Sequence, residues 1–282
     1  MSSATSLCIA LLTAHCSVLT AQIPDVARER KEYARWLASA PTSPLGAVAL
    51  APVGRGIEIG PQRSDVPLEG LPLHRLTEER GRLTLSGPQG NRPLVRGRPV
   101  TIAGYTLLAA GPPGRTTLAV HRPPPDNAKT VSWYPLDPRA SFVVSLTPPP
   151  VSAAVRVLAV DGTEVEAVEA GTVTVTLGGT STPLVVRRMP GAAPEESELE
   201  VYFRDRTNGK GTYPAGRFVA LVPSDAGTYL LDFNRARNPF CAYSTVYPCP
   251  APWRGNSIPA GIEAGERYTG GGLDPGAVSG ER

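Results

Sequence analysis

Apolar residues along this chain recur mostly at every second position, the period of half-buried β-strands. Ile57 and Ile59 flank Glu58, Arg82-Leu83-Thr84-Leu85 alternates, and Val173-Thr174-Val175-Thr176-Leu177 repeats the pattern. Further strand-forming runs are predicted at Val100–Ile102, Tyr105–Ala109, Thr116–Val120, Phe142–Leu146, Val155–Val160, Leu184–Val186, Leu199–Phe203, Phe218–Val222 and Thr228–Leu231. Gly87-Pro88, Gly111-Pro112-Pro113-Gly114, Asp161-Gly162 and Gly178-Gly179 separate them. Asp161-Gly162 predicts a hairpin between Val155–Val160 and Val165–Val168. Many short strands at close spacing predict a mainly β protein with antiparallel sandwich or barrel-like domains, not alternating βαβ units.

One helix interrupts this pattern. Pro24-Asp25 can start it, and Tyr33, Trp36 and Leu37 then share a face with Val26 near the same stripe. Arg28 and Glu32 are spaced to pair on the exposed side, and Pro41 and Pro44 end the element. The Pro-rich breaks at Pro123-Pro124-Pro125 and Pro148-Pro149-Pro150 suggest boundaries. The expected organisation is a helical lead-in at residues 22–44, a small β module at 45–122 and a main β domain at 127–268. A disordered tail is expected at 269–282, where Gly and Ser dominate without apolar period.

Before the lead-in, Met1 to Ala21 carries no charged side chain apart from His15, and Leu7 to Leu19 is mostly apolar. This predicts a signal peptide at residues 1–21, with the mature chain exported to the periplasm or cell envelope. A lipid anchor on Cys16 is disfavoured, since His15 stands where a small residue is expected. No later apolar run approaches the roughly 20 residues needed to span a bilayer. Without the leader, Cys241 and Cys249 are the remaining cysteines, and in an oxidising compartment two close cysteines in a Pro-rich loop predict a disulfide. Zinc is disfavoured by the lack of a Cys-x-x-Cys pair or clustered His, so no metal site is expected.

Composition narrows the partners. The 282 residues include 31 Pro and 29 Gly, yet the apolar fraction of 41% suits a folded protein. A net charge of +3 is too small to imply nucleic-acid binding. The only lysines are Lys31, Lys129 and Lys210, so the basic surface is almost all Arg, which can grip anions through planar forks. His74 and His121 are the only histidines of the mature chain, and no Gly-x-Ser-x-Gly elbow, Walker loop, dinucleotide fingerprint or His-Glu-x-x-His is present. Common catalytic architectures are therefore disfavoured, and no cofactor is indicated.

Candidate chemistry concentrates between Tyr202 and Tyr268, where Asn, Asp, Arg, Gly and Cys crowd together at a density that packing alone rarely requires. Tyr213, Arg217, Asn234 and Asn238 are candidate ligand contacts, supplying forked and neutral hydrogen bonds to a small polar or anionic ligand. Asp232 and Glu266 are candidate acid–base residues; ion pairing with the neighbouring arginines, such as Asp232 with Arg217 across a hairpin, is the alternative. Thr207-Asn208-Gly209 and Gly211 predict a tight turn. Three functional classes stay open: a binding protein, a carboxylate-dependent hydrolase, and a structural envelope protein without a ligand.

The pattern Asp205, Thr207-Asn208-Gly209, Thr212-Tyr213, Gly216-Arg217, Asp232-Phe233-Asn234, Ala236, Asn238-Pro239, Cys241, Cys249-Pro250 and Gly265-Glu266 resembles an exported bacterial and archaeal family called domain of unknown function 1684. The resemblance implies no reaction. Arg237 departs from an aromatic residue common in that family and Phe240 from a second Pro, changes expected to alter a ligand's surroundings without disturbing the fold. Upstream, Ile57-Glu58-Ile59-Gly60-Pro61-Gln62-Arg63-Ser64 followed by His74-Arg75 looks like the edge of a forkhead-associated domain, which would place Arg63 and Ser64 at a phosphate. Leu73 stands where that family has Ser, so the scaffold without its phosphate site is the expectation.

Overall fold

The computed structural model describes residues 25–126, 130–190 and 197–269. The expected leader, residues 127–129, and the expected tail beyond Thr269 lie outside them. Helix α1 (Val26–Ser39) starts where Asp25 accepts a hydrogen bond from the backbone N–H of Arg28 at 3.1 Å, satisfying an otherwise orphaned donor. Arg28 and Glu32 approach to 3.9 Å on its exposed side. Leu37 is the buried anchor of its inner face.

Nine strands follow in the first half: β1 (Ala47–Pro52), β2 (Ile57–Gly60), β3 (Val66–Pro67), β4 (His74–Glu79), β5 (Arg82–Gly87), β6 (Gly90–Leu94), β7 (Val100–Ile102), β8 (Tyr105–Ala110) and β9 (Thr117–His121). They form a five-stranded sheet in the order β3-β2-β4-β5-β6 and a four-stranded sheet in the order β1-β9-β8-β7. Every second residue of each sheet points into one shared core, where Ile59, Leu76 and Leu85 meet Leu107, Leu118 and Val120. Arg63 is exposed and Ser64 half-buried in the turn between β2 and β3.

Seven strands make the second half: β10 (Ser141–Val144), β11 (Ala154–Leu158), β12 (Glu164–Leu177), β13 (Thr180–Pro190), β14 (Ser197–Phe203), β15 (Arg217–Pro223) and β16 (Tyr229–Asp232). They form one antiparallel sheet in the order β10-β16-β15-β14-β13-β12-β11. The fold is mainly β, and none of its three sheets closes into a barrel. The Asp161-Gly162 turn joins β11 to β12, with the Ala159 N–H donating to Thr163 O at 2.9 Å. The two apolar runs expected around Gly171 belong to one long strand. Its register slips between Glu169 and Gly171, and Thr147 O lies 2.1 Å from where a Cβ at Gly171 would sit, so only glycine admits this crossing.

The inner face of the large sheet buries Val175, Leu184, Val201, Phe203, Leu231 and Phe233. The chain covers it with a strap, residues 253–268, that returns after β16 and contributes Ile258, Ile262 and Ala264. Asn256 fastens the strap by bonding the Val185 N–H, Val185 O and Tyr202 O. Gly265 comes so close to the sheet that a Cβ would sit 2.6 Å from Phe233 O; its φ of 78° also favours glycine. The two halves meet where Ala47 and Leu50 pack against Tyr213 and Tyr247, and the buried His121 Nε2 lies 3.0 Å from the Tyr247 hydroxyl.

Candidate functional site

The residues singled out by their polarity divide between two places. The first is a buried knot behind the large sheet. Arg217, at 0% exposure, donates through Nη2 to Asp205 Oδ2 at 2.8 Å and to Ile262 O at 3.0 Å. Its Nη1 donates to Ala264 O and to Glu266 O. Burial lowers the proton affinity of this guanidinium, and the paired Asp205 opposes that shift. Arg217 therefore pairs with Asp205 rather than with Asp232. Asp205 in turn accepts the Thr207 N–H at 2.7 Å and the Ile262 N–H at 3.2 Å, which ties the Thr207-Asn208-Gly209 turn to the strap.

Asp232 ends β16 by accepting the Asn234 N–H and Nδ2 at 2.9 Å each, the capping geometry of a short 3-10 turn over Phe233–Arg235. Asn234 also grips residue 137 twice: its Oδ1 accepts the Asp137 N–H at 2.9 Å, and its Nδ2 donates to Asp137 O at 2.7 Å. Tyr213 is buried, with its hydroxyl 3.3 Å from both Cys241 Sγ and Cys249 Sγ. The expected disulfide is not formed: both cysteines are free thiols, Cys241 buried and Cys249 exposed, converging on the Tyr213 hydroxyl. Burial pushes the Cys241 thiol well above its ordinary range, so it stays protonated and unreactive.

The second place is a cavity of about 560 Å³ between α1 and the outer face of the large sheet. Tyr33 and Trp36 of α1 form one wall, Trp133 and Phe240 another, and Phe218 with Ala220 the floor. Aromatic contacts lock the walls: Tyr33 stacks on Trp36 at 5.6 Å and meets Trp133 edge-on at 6.0 Å. Arg30 clamps the helix to the domain by donating to Asn234 O at 2.7 Å and Tyr134 O at 2.8 Å. Arg235 pairs with Glu29 at 2.8 Å.

Local backbone geometry brings charges into this space. Once β16 has turned away, the chain returns to pair Arg237 with Phe218 through two backbone hydrogen bonds of 2.9 and 2.8 Å. That bridge holds the Arg237 guanidinium 5.0 Å above the Tyr33 ring, exposed and without an ion-pair partner among the described residues. Glu198 and Glu200 alternate with Leu199 on β14 and line the same cavity. Burial and then the neighbouring Glu198 carboxylate raise Glu200 to about 7, against the pull of Arg237. Asn238 also lines the cavity; it is 1% exposed and its Oδ1 has no hydrogen-bond partner.

Glu266 connects the two places. Fully buried, it accepts the Asn238 N–H at 2.9 Å and the Tyr243 hydroxyl. Tyr243 lies 3.1 Å from the Tyr33 hydroxyl, and Tyr33 faces the cavity. Desolvation raises the Glu266 carboxyl to about 7, with hydrogen bonds from Tyr243 and Asn238 opposing it. Of the six residues proposed from sequence, only Asn238 lines the cavity; Asp232 and Asn234 shape the turn whose Asn234 O receives Arg30, Tyr213 and Arg217 lie in the buried packing away from it, and Glu266 sits one residue behind. Tyr33, Trp36, Trp133, Glu198 and Glu200 were not legible as site residues. Arg237 and Phe240, the two departures from the family pattern, both line the cavity. Among the described residues no three His, Cys, Asp or Glu side chains converge as metal ligands do.

With this geometry in view, the family described as protein of unknown function (DUF1684) matches residues 127–267, half of the chain. The chain belongs to that family. The DUF1684 region carries the whole buried knot and the Trp133, β14, β15 and Arg237 sides of the cavity, while the α1 wall lies outside it. A solution NMR structure of an uncharacterized protein of Haloarcula marismortui is 34% identical, covering 50% of this chain and 78% of its own, with a TM-score of 0.43. No curated protein matches.

Proposed function

We propose that this DUF1684 member is an exported protein that binds a small polar, anion-bearing ligand in the cavity beneath α1. The observation that carries this reading is the set of uncommitted donors there. Arg237 has no carboxylate partner among the described residues, and the buried Nη1 of Arg235 has no hydrogen-bond partner. Buried donors left unmatched are costly, so a site that retains them is suited to a ligand that matches them. The volume lies within the range of small-molecule pockets, about 300–1,000 Å³, and aromatic side chains line it beside the charged groups. This reading gives Asn238 a contact with the ligand and assigns Tyr213, Arg217 and Asn234 to holding the fold.

Native mass spectrometry of envelope-fractionated protein tests it. A bound small molecule should copurify with the wild type and be lost from Arg237→Ala, and N-terminal sequencing should begin near Gln22. Ligand-free wild type, or full-length chain confined to the cytoplasm, overturns the corresponding half of the proposal.

One observation favours a second reading, acid–base catalysis. Glu266 and Glu200 are poised near neutrality, and Glu266 reaches the cavity through Tyr243 and Tyr33. Recovery of a chemically altered molecule after incubation would support that reading over binding alone.

A further inference from the structure

The cavity offers unmatched groups of both polarities, and only one polarity is answered by an anion. Resting on the binding reading above, we infer that the ligand is amphoteric: an amino-acid-like molecule whose carboxylate meets Arg237 and whose ammonium meets Glu200 and Asn238 Oδ1.

Two observations point to the ammonium. Glu198 and Glu200 stand two residues apart on β14, so the strand's period places both carboxylates on the outer face that floors the cavity. Neither has an ion pair or a side-chain hydrogen bond among the described residues; Glu198 is exposed, so the half-buried Glu200 is the carboxylate left for a ligand to answer. Asn238 Oδ1, on a side chain only 1% exposed, is an acceptor with nothing to accept from. A carboxylate ligand supplies no donor for it; an ammonium supplies three.

The spacing between the charged groups argues the same way. Arg237 lowers the proton affinity of Glu200 while Glu198 and Asp161 raise it, yet among the described residues no nitrogen of Arg237 lies within 4.0 Å of a carboxylate oxygen. The pair is close enough to interact and too far apart to close on itself. The remaining charges on the rim are accounted for elsewhere: Glu29 by Arg235, Glu32 by Arg28, and Arg30 by backbone carbonyls. A molecule carrying an ammonium and a carboxylate on one carbon offers each of Arg237 and Glu200 an opposite charge. The elevated proton affinity of Glu200 fits an acid waiting for a cation, since an ammonium beside it would restore its ionised form.

Titration calorimetry with the twenty free α-amino acids, their N-acetyl derivatives and their carboxamides tests the inference on the wild type, Glu200→Gln and Arg237→Ala. At least one free amino acid should bind, and both blocked forms should bind at least tenfold more weakly. Glu200→Gln should weaken the free form at least tenfold and leave the N-acetyl form unchanged, while Arg237→Ala should weaken every form that keeps its carboxylate. N-acetyl derivatives binding as tightly as free amino acids, or free-form binding indifferent to Glu200→Gln, overturn the amphoteric ligand and leave the anion site standing. Silence from every probe while a molecule still copurifies in an Arg237-dependent manner overturns this inference alone. Silence together with ligand-free wild type overturns both.

Discussion

Arg217 opens β15, Arg237 is bridged to its neighbour Phe218 from a segment that returns after β16, and the two arginines meet opposite fates. Arg217 enters the core, where one carboxylate and three backbone carbonyls surround its guanidinium. Arg237 lies on the outer face above an aromatic ring, with no carboxylate in ion-pair contact among the described residues. A buried charge persists only when its partners are nearly all supplied, because removing it from water costs several kcal/mol. The contrast teaches that the most conspicuous polar residues can be the ones folding has already committed. The groups left unmatched by the fold, such as Arg237, look ordinary in the chain, and the proposed binding reading rests on them.

That contrast can be broken most severely at Arg217. Arg217→Met strands the buried Asp205 carboxylate and should cost about 3–5 kcal/mol in urea unfolding, the penalty for breaking a buried pair from one side. A loss below about 1 kcal/mol would mean that the knot is not structural. Asn234→Ala comes next, since it leaves Asp232 and both backbone groups of residue 137 under-satisfied. The expected loss is about 1–3 kcal/mol on the same curve.

A smaller effect should appear with pH. The folded Glu266 carboxyl keeps its proton up to about 7, whereas the ordinary value is 4.5, so between these limits the folded chain binds more protons than the unfolded one. Stability therefore falls as pH rises from 4.5 through 7, and Glu200 contributes with the same sign. Glu266→Gln should remove its share of that slope, on the order of 1.4 kcal/mol per pH unit, in melts across the window. An unchanged slope would show that Glu266 titrates normally. The smallest stability change belongs to Arg237→Ala, within about 0.5 kcal/mol in ligand-free protein. A large loss there would make the two arginines alike and undo the comparison.

Much of the fold was legible because burial on one face of a sheet imposes a period of two. The β14, β15 and β16 runs, the Asp161-Gly162 hairpin and the Arg28–Glu32 spacing on α1 all follow from such local rules. β6 was not legible, since four of its five residues are exposed and only Leu94 is buried, leaving no alternation to read. β12 was divided in two because Gly171 breaks its apolar rhythm at the bulge. The site was harder still. Glu198-Leu199-Glu200 reads as a solvated strand face, and Tyr33 with Trp36 reads as the core stripe of a helix. They become floor and wall only when α1 docks across the outer face of the sheet, a tertiary event no local period encodes. Polar crowding marked the knot; the departures at Arg237 and Phe240 marked the cavity.

The carbonyls that receive Arg217 belong to Ile262, Ala264 and Glu266, far along the chain from the arginine itself. During synthesis β15 leaves the ribosome well before them, and at about 5–20 residues per second the guanidinium spends seconds without most of its partners. The large sheet therefore cannot bury its central charge until the last stretch of the matched region has arrived. A chain ending at Pro259 would keep β14 through β16 and lose every backbone acceptor of Arg217. Closure of this domain is thus coupled to arrival of residues 262–266, and a chain truncated before them leaves the Arg217 guanidinium without its carbonyls.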